Sequence, residues 1–471
     1  MPVRNYTYYD YTISLCPECL RRVEAKVVFE NGNVYFLKRC PEHGRQKVLV
    51  ATDEAYYRRV RNYMKPSEMP HRFGTRVERG CPYDCGLCTD HEQHSCLALI
   101  EVTDRCNLTC PTCYASSSPT HGRHRTLDEI EAILDVLVRS EREPDVVQLS
   151  GGEPTVHPDF FAIMDAAKAR PIQHLMLNTN GIRVARDEGF AERLATYAPG
   201  FEVYLQFDSL RPDALRRLRG ADLTDIRLRA LDRLNALNLS TTLVVTLAKG
   251  VNDDEIGTLL DFALKQRCVR GVTFQPTQVA GRTEGFDPAT DRLTLTEVRQ
   301  AILDQHPLFQ PNDLIPVPCN PDSLAMAYAL KIDGPDGERE VLPLTRFVDP
   351  DALLDESRNT IVYERDPILK DHLLRLFSTG CGPEAAAGDL HSLLCCLPPV
   401  QAPELSYDNL FRIILMRFMD AYDFDVRAVK KSCVHIVHPD GRIIPFETMN
   451  LFYRDAAMEA RIPELAAAGI A

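Results

Sequence analysis

The chain is organised around Cys106–Tyr114, CNLTCPTCY, in which three cysteines follow one another at C-x3-C-x2-C spacing. The apolar run 97–102 directly before them predicts a buried strand. A [4Fe-4S] cluster has four irons, so three thiolates from one loop leave one iron open to a small molecule. The alternative, a closed zinc knuckle, needs a fourth ligand nearby. The spacing therefore predicts a cluster with an open iron held by Cys106, Cys110 and Cys113.

A second motif, Gly151-Gly152-Glu153-Pro154, follows the strand-like run 146–150. Two glycines let a backbone approach a ligand closely, and a carboxylate pairs with an ammonium. In this order the two motifs resemble the radical S-adenosylmethionine (SAM) superfamily. The resemblance implies cleavage of SAM to methionine and a 5′-deoxyadenosyl radical, which abstracts hydrogen from an unactivated carbon. It also implies that Gly151, Gly152 and Glu153 bind the methionine amino group and that Tyr114 takes part in SAM binding.

Length, charge and cysteine content limit the possible functions. A chain of 471 residues has room for two or three domains, and a net charge of −13 argues against nucleic acid as the main partner. No apolar run reaches the ~18 residues that span a bilayer, and the N-terminus shows no apolar signal region. We therefore expect a cytoplasmic protein, in which 16 cysteines indicate metal ligands rather than disulfides.

Residues 1–52 predict an N-terminal mononuclear metal-binding domain of the zinc-ribbon or rubredoxin-like kind. A β-hairpin predicted over 25–37, with its turn at Asn31-Gly32, folds two pairs of potential ligands together. These ligands are Cys16, Cys19, Cys40 and His43. Three thiols and an imidazole suit tetrahedral zinc or a single iron, and the sequence does not separate the two metals. Alternatively, His43 is a solvated turn residue and the fourth ligand lies elsewhere.

Residues 53–96 predict a connector and an auxiliary iron-sulfur segment. Its candidate ligands are Cys81, Cys85, Cys88 and Cys96. Four thiolates within sixteen positions can close a [4Fe-4S] cluster, and an all-cysteine zinc site is the alternative. We expect this auxiliary cluster to lie near the first one and to serve electron transfer, or to bind substrate by losing or sharing a ligand.

Residues 97–285 alternate strand and helix patterns, which predicts an α/β fold with a parallel sheet. The six predicted strands are 97–102, 145–149, 173–178, 202–207, 240–246 and 271–275. Thr126 is expected to cap the first helix. Right-handed crossovers would curl the sheet into a barrel, and the resemblance implies the partial (βα)6 barrel of radical SAM enzymes.

Polar residues follow several predicted strands, where barrels of this kind place their chemistry. The resemblance makes Asn180, Ser209 and Thr246 candidates for contacts to the carboxylate and ribose of SAM. Each is equally well explained as a capping or turn residue, since Asn, Ser and Thr favour such positions. Gln206 and Asp208 are candidates for the substrate side of the site.

Residues 286–471 predict a C-terminal α+β domain. A third cluster is one interpretation of its cysteines, and free buried cysteines, which pack as small apolar groups, are the other. The candidate ligands are Cys319, one or both of Cys395 and Cys396, and Cys433. The apolar run 410–419 predicts a helix that either walls a lipid site or belongs to the core.

Three further patterns narrow the resemblance: CPxC…CPxHG near the start, CPxDCGLC…C before the cysteine loop, and C-x-H…DG-x-I-P-F late in the chain. Together they resemble the archaeal tetraether lipid synthase group, formerly described as pterin methyltransferase-like. This chain departs from that group at Ser323 and Glu447, where the group carries cysteines. Without these two cysteines, the third cluster is either absent or held by different ligands.

The resemblance implies an enzyme that joins unactivated carbons of lipid alkyl chains. It would use two SAM molecules, an external electron donor of ferredoxin or flavodoxin type, and peripheral contact with a membrane. A second hypothesis is radical methylation of a small heterocycle such as a pterin. A third is a non-catalytic iron-sulfur electron-transfer protein, against which the open three-cysteine loop counts because an electron carrier closes its cluster.

Overall fold

The computed structural model describes residues 4–63, 68–333, 339–346 and 409–470. Cys395 and Cys396, proposed from the sequence as ligands of a third cluster, lie outside the described residues. Within the described ranges, every helix is too short or too polar to cross a lipid bilayer.

The described elements follow in chain order. The strands are β1 Thr7–Leu15, β2 Arg22–Glu30, β3 Asn33–Cys40, β4 Gly44–Ala51, β5 Leu97–Thr103, β6 Thr112–Cys113, β7 Val146–Gly151, β8 His174–Thr179, β9 Phe201–Gln206, β10 Thr241–Leu247, β11 Val269–Pro276, β12 Arg282–Thr283, β13 Ile315–Pro316, β14 Leu324–Asp333, β15 Arg339–Pro343, β16 Leu410–Met416, β17 Val434–Val437 and β18 Ile443–Pro445. The helices are α1 Glu54–Val60, α2 Leu127–Glu141, α3 Phe160–Lys168, α4 Ile182–Arg186, α5 Phe190–Ala195, α6 Pro212–Arg219, α7 Thr224–Leu237, α8 Ile256–Lys265, α9 Leu295–Gln305, α10 Val426–Val429, α11 Phe446–Thr448 and α12 Ala456–Ala467.

The N-terminal region forms a four-stranded antiparallel sheet in the order β1-β2-β3-β4. The predicted hairpin is confirmed as β2 and β3, with Asn31 and Gly32 at positive φ, 53° and 78°, in its turn. Phe29 and Phe36 on one face of the sheet pack with Tyr57 of α1 in a small core. The sheet therefore brings the loop after β1 and the turn between β3 and β4 to one end.

The six strands predicted for the central region are confirmed as β5 and β7 to β11, which lie side by side, in chain order and parallel. Strand β5 is buried at every position, as expected of a parallel sheet covered on both faces. Thr126 caps α2 as predicted, in a capping box with Glu129. That the sheet curls into a (βα)6 barrel stays a prediction.

The C-terminal region continues the central sheet at both of its edges. Strand β16 pairs parallel with β11, and β17 pairs parallel with β5. The antiparallel strands β14 and β18 extend the two edges further. The chain before and after residue 285 thus contributes strands to one sheet, and both edges of the six-stranded unit are covered by C-terminal residues.

The helix predicted over 410–419 is wrong, because Leu410–Met416 is strand β16. The run carries two adjacent β-branched residues, Ile413 and Ile414, which fit a pleated surface better than a helix. Strands lie on both sides of it, so its backbone groups are paired in a ladder whatever the local preference. A short apolar run does not distinguish a buried strand from a buried helix, and the neighbouring strands decide here.

Candidate functional site

A cavity of about 180 Å³ opens at the C-terminal ends of the parallel strands. It brings together most of the residues predicted for the SAM-binding site. Those that line it are Cys106, Cys110, Cys113, Tyr114, Gly151, Gly152, Glu153, Asn180 and Thr246. Ser209 does not line it, because its hydroxyl is buried and donates to Glu255. Its oxygen also accepts from the backbone N–H of Arg211 at 2.9 Å, so the turn alternative describes Ser209.

The two glycines of the second motif allow close packing between β7 and the segment that leads into the cysteine loop. A Cβ atom on Gly151, whose φ is 119°, would lie 2.2 Å from the carbonyl oxygen of Thr103. A Cβ atom on Gly152 would lie 2.1 Å from the carbonyl oxygen of Arg105. The sequence suggested a close approach of backbone to ligand, whereas the structure shows a close approach of backbone to backbone. The glycines hold the motif beside the cysteines.

Glu153 is buried and accepts hydrogen bonds from neutral groups around it. Oε1 accepts from the hydroxyls of Thr155 and Thr179 at 2.6 and 2.8 Å, and Oε2 accepts from the backbone N–H of Asn180 at 2.8 Å. Burial raises the pKa of this carboxyl, and these hydrogen bonds oppose the rise. Because a carboxylate oxygen accepts about two hydrogen bonds, Oε2 keeps the capacity for one more donor in the cavity.

A chain of polar side chains crosses the ends of the strands. The Ser150 hydroxyl lies 3.0 Å from the Tyr114 hydroxyl and accepts from Nδ2 of Asn178 at 3.2 Å. Nε2 of Gln206 donates to Oδ1 of Asn178 at 2.8 Å, and Arg219 donates to Oε1 of Gln206 at 2.9 Å. Gln206 lines the cavity, as predicted. These bonds fix the side chains in one arrangement beside the cysteine loop.

Arg219 was missed by the sequence reasoning and lies at the centre of the site. Its guanidinium donates to both oxygens of Asp208, at 2.7 and 2.6 Å, and to the Thr246 hydroxyl at 2.9 Å. Arg227 donates to Asp208 from the other side at 2.8 Å. Burial alone would raise the pKa of Asp208, but the two guanidinium groups lower it to about 2. Asp208 is therefore an anchor for Arg219 and does not line the cavity.

A positive charge is thereby held against the cysteine loop. Arg219 lines the cavity, and burial raises the pKa of the Cys110 thiol while Arg219 opposes the rise. The next residue, Gly220, lies so close to the loop that an added Cβ atom would be 3.2 Å from the carbonyl oxygen of Thr109. The only sequence signal for Arg219 is that it ends, together with Gly220, the helix α6 that follows β9.

The four candidate ligands of the N-terminal region do come together. The ligand atoms of Cys16, Cys19, Cys40 and His43 all lie within 4.8 Å of one another. The Cys19 and Cys40 sulfurs are 3.8 Å apart. A tetrahedral metal with bonds of about 2.3 Å to sulfur separates its sulfurs by about 3.8 Å. Burial would raise the pKa of Cys40, but hydrogen bonds from His43 and the backbone lower it to about 7, which favours the thiolate that binds metal.

The structure groups the four cysteines between residues 81 and 96 differently from the sequence prediction. Cys96 does not join Cys81, Cys85 and Cys88, which line a separate cleft. Its sulfur lies within 4.8 Å of those of Cys319 and Cys433, and the latter two are 3.5 Å apart. The four-cysteine grouping of residues 81–96 is therefore wrong in its last member.

The sheet explains the new grouping. Cys96 directly precedes β5 and Cys433 directly precedes β17, and these strands run parallel, with the N–H of Leu97 donating to the carbonyl of Cys433 at 3.0 Å. Cys319 enters from the turn before β14. Ser323 in the same turn is buried, and its hydroxyl has no hydrogen-bond partner in the described part of the chain. The donor set at this point is three thiols, and Nε2 of His94 lies 3.3 Å from the Cys96 sulfur.

Comparisons with known proteins agree with this site. Residues 100–263 match the family model described as "Radical SAM superfamily", and residues 8–52 match "HMPTM N-terminal zinc ribbon domain". The first match spans the cysteine loop and the glycine motif. The chain therefore contains a radical SAM domain in residues 100–263. Its N-terminal sheet, which brings the four candidate ligands together, matches a zinc-ribbon domain.

Several named proteins resemble the chain. It is 29% identical to a 7,8-dihydro-6-hydroxymethylpterin dimethyltransferase of Methanocaldococcus jannaschii, over 95% of this chain and 94% of that one. It is 25% identical to the mycofactocin maturase MftC of Mycolicibacterium smegmatis over 43% of this chain and 50% of that one. Among solved structures, SuiB of Streptococcus suis bound to SAM matches 45% of this chain and 47% of that chain, with 18% identity and a TM-score of 0.38.

Proposed function

We propose that this radical SAM protein cleaves SAM reductively and abstracts hydrogen from an unactivated carbon of its substrate. The observation that carries the proposal is one cavity in which Cys106, Cys110 and Cys113 face the Gly151–Glu153 segment. Three thiolates leave one iron of a [4Fe-4S] cluster open. When bound, the cluster and SAM supply a 5′-deoxyadenosyl radical, with the electron drawn from a ferredoxin- or flavodoxin-type donor.

The residues around the cavity suit the groups of SAM. The remaining capacity of Glu153 Oε2 suits the ammonium of the methionine part, and the Arg219 guanidinium suits its carboxylate. Asn180 and Thr246 offer hydrogen bonds to hydroxyl groups, as the ribose requires. Tyr114 offers an aromatic face next to the last cysteine. Apolar walls around these groups exclude water from a radical that would react with other C–H bonds.

The leading candidate for the substrate is a lipid alkyl chain. One side of the cavity is apolar and is built from β5, β16, β17 and the residues after β16 and β18. Its residues are Leu97, Leu99, Met416, Phe418, Val434 and Phe446. Each hydrogen abstraction consumes one SAM and one electron, and the union of two carbon radicals then forms the C–C bond. Coupling therefore releases two methionines and two 5′-deoxyadenosines for each bond.

Methylation of a small heterocycle is the second candidate, and two observations favour it. The relative with 29% identity over 95% of this chain is named a pterin dimethyltransferase. The cavity also carries several carboxamides that could pair with a polar ring. These are Gln148, Asn178, Gln206, Gln275 and Gln278.

Three further metal centres are part of the proposal. The ligands Cys16, Cys19, Cys40 and His43 suit zinc or a single iron. Cys81, Cys85 and Cys88, which line one cleft, suit an auxiliary iron-sulfur cluster. Cys96, Cys319 and Cys433 suit a third, buried centre, beside which Nε2 of His94 lies 3.3 Å from the Cys96 sulfur.

The test is an anaerobic reaction of the reconstituted protein with SAM, a reductant and either host lipid extract or the dihydropterin, followed by mass spectrometry. Lipid-dependent 5′-deoxyadenosine with a coupled lipid that has lost two hydrogens supports the leading candidate. Deoxyadenosine with a methylated pterin supports the second. Cys110→Ala should abolish deoxyadenosine formation, and Cys268→Ala, a buried cysteine away from the cavity, should not. Cleavage of SAM by the Cys110 variant would refute the site.

A further inference from the structure

We infer that Gln148 is a specificity residue that receives a hydrogen-bond donor of the substrate, so the substrate is not a bare hydrocarbon at that level of the cavity. The inference rests on the proposed function, since it takes this cavity as the substrate site. It names a chemical class within that function: molecules that carry an O–H or N–H group close to the carbon skeleton on which the radical acts.

The position of Gln148 singles it out among the carboxamides of the cavity. It lies on β7, two residues before Ser150, and therefore points to the same side of the sheet one layer deeper. Its partners in register on the neighbouring strands are Leu99 on β5 and Met176 on β8, both apolar. The carboxamide thus stands in an apolar surrounding, on the wall that also contains Leu97.

Asn178, Gln206 and Gln275 are already engaged by the protein. Asn178 bonds to Ser150 and Gln206, and Gln206 also bonds to Arg219. Gln275 donates to the Tyr204 hydroxyl at 3.1 Å. These side chains form closed networks whose arrangement is set before any substrate arrives.

Gln148, by contrast, is 4% exposed, and its Oε1 has no hydrogen-bond partner among the described residues. Oε1 of Gln278 also lacks a partner among them, but Gln278 is only partly buried. A buried polar atom without a partner costs free energy, whereas leucine at the same place would cost none. A carboxamide in an apolar surrounding is therefore explained by a ligand that completes it. Since the same cavity contains the three cysteines, a group bonded to Gln148 would place the substrate's carbon skeleton beside the radical.

Two sources of donor fit this chemistry, a hydroxyl on an alkyl compound and a ring N–H of a heterocycle. The test measures equilibrium binding of three probes to the anaerobically reconstituted, SAM-loaded protein. The probes are 1-decanol, its methyl ether 1-methoxydecane, which differs by the loss of the donor, and pterin. The proteins are the wild type, Gln148→Leu and the control Gln266→Leu. Gln266 is a carboxamide outside the cavity that accepts from Asn235 and donates to the carbonyl of Phe262.

We expect the wild type to bind at least one donor-bearing probe about tenfold more tightly than Gln148→Leu does, the factor that corresponds to a single hydrogen bond. If Gln148→Leu binds 1-decanol more weakly than the wild type does, and both proteins bind its ether equally, the donor is a hydroxyl. If Gln148→Leu binds only pterin more weakly than the wild type does, the donor is a ring N–H. Equal binding of every probe to both proteins, or no binding at all, overturns the inference.

Thermal unfolding separates a recognition role from a structural one. Gln148→Leu should unfold at the same temperature as the wild type or higher, because it removes an unpartnered polar group. Gln266→Leu should unfold at a lower temperature and bind the probes as the wild type does. A fall for Gln148→Leu as large as that for the control makes the carboxamide structural and overturns the inference. Failure to form 5′-deoxyadenosine with Gln148-dependent binding intact would instead refute only the proposed function.

Discussion

Arg219 shows how one side chain can order a site that the motifs alone describe incompletely. Its bonds to Asp208, Gln206 and Thr246 tie the ends of β9 and β10 together, and its position beside Cys110 adds the cysteine loop. The planar guanidinium allows several bonds in one plane, which a lysine does not provide. Its charge is balanced by a buried carboxylate, so it is fixed in place before any ligand enters.

Replacing Arg219 by lysine should therefore weaken SAM binding. We expect the dissociation constant for SAM to rise about tenfold or more, because a point charge on a flexible chain loses the fork geometry. The cluster should still assemble, since its cysteines are unchanged. Calorimetric titration of SAM and the spectrum of the reduced cluster with SAM measure the two effects. Arg216→Lys, on the exposed side of the same helix, is the control. Unchanged SAM affinity in the Arg219 variant would contradict the assignment.

Glu447 is a second residue with a measurable consequence, because burial raises the pKa of its carboxyl from 4.5 to about 7. A carboxyl with a raised pKa in the folded state binds more protons folded than unfolded between these values. The stability of the protein should therefore fall as the pH rises from about 4.5 through about 7. Glu447→Gln should remove this loss, which amounts to about 3 kcal/mol.

Chemical denaturation at pH 5.5 and pH 8 checks the expectation for Glu447. The glutamine variant should be more stable than the wild type at pH 8, with a smaller difference at pH 5.5. Glu464→Gln on the exposed surface of α12 should change stability equally little at both values. The same difference at both pH values would show that the effect is not protonation of Glu447.

At the scale of the elements, the pairing of β5 with β17 creates a three-thiol group from cysteines far apart in sequence. We expect Cys433→Ala to lose the metal of one centre while the N-terminal and SAM-binding centres keep theirs. Iron and zinc counted per chain by plasma mass spectrometry, together with retained SAM binding, check this. Cys268→Ala removes an equally buried cysteine outside the group and should leave the metal content unchanged. Equal metal content in both variants would contradict a centre at this position.

A buried ion pair connects strand β16 with β9. Its Arg412 donates to both oxygens of Glu202 on β9, at 3.0 and 2.9 Å, and Glu202 is fully buried. Burial would raise the pKa of Glu202, but Arg412 and His174 hold it well below its usual range. Neither charge is tolerable inside the sheet without the other.

Arg412→Met should therefore destabilise the protein by roughly 3–5 kcal/mol, because it leaves a buried carboxylate without its partner. Adding Glu202→Gln should recover a large part of the loss. Arg58→Met removes the exposed pair with Glu54 in α1 and should cost less than about 1 kcal/mol. Denaturant titrations of the three variants give the comparison. A double variant no more stable than the single one would show that packing, and not charge, accounts for the loss.

At the scale of the whole molecule, the zinc ribbon is attached to the C-terminal region. Lys38 on β3 is buried, and its ammonium donates to the carbonyls of Leu15 and Tyr422 at 2.8 and 2.6 Å. Thr12 on β1 donates to Asp425 at 2.6 Å. Burial lowers the pKa of Lys38 to about 8, and nearby aspartates oppose the fall. The Lys38 side chain thus connects the N-terminal sheet with the C-terminal region.

Lys38→Met should loosen this attachment, because it leaves buried carbonyl oxygens without their donor at a cost of about 2 kcal/mol. We expect a lower unfolding temperature and faster release of an N-terminal fragment in limited proteolysis. Lys26→Met, at an exposed position of β2, is the control. Equal proteolysis of the two variants would show that the ribbon is held without Lys38.

The positions of the central strands and the spacing of the cluster loop could be predicted from the sequence because they depend on local patterns. Apolar runs separated by helix signals predicted β5 and β7 to β11, and cysteine spacing predicted one cluster loop and four ligands of the ribbon. Each of these features lies within a short stretch of chain, where the neighbours that determine it are also neighbours in sequence.

Only the tertiary structure decided the features that form between segments distant in sequence. Cys96 joins Cys433 because two parallel strands lie side by side, Leu410–Met416 is a strand because strands flank it, and Arg219 enters the site because helix α6 packs on the cysteine loop. None of these contacts has a signal in local periodicity. Spacing along the chain determines which ligands one loop can supply, and the packing of the sheet determines which loops meet.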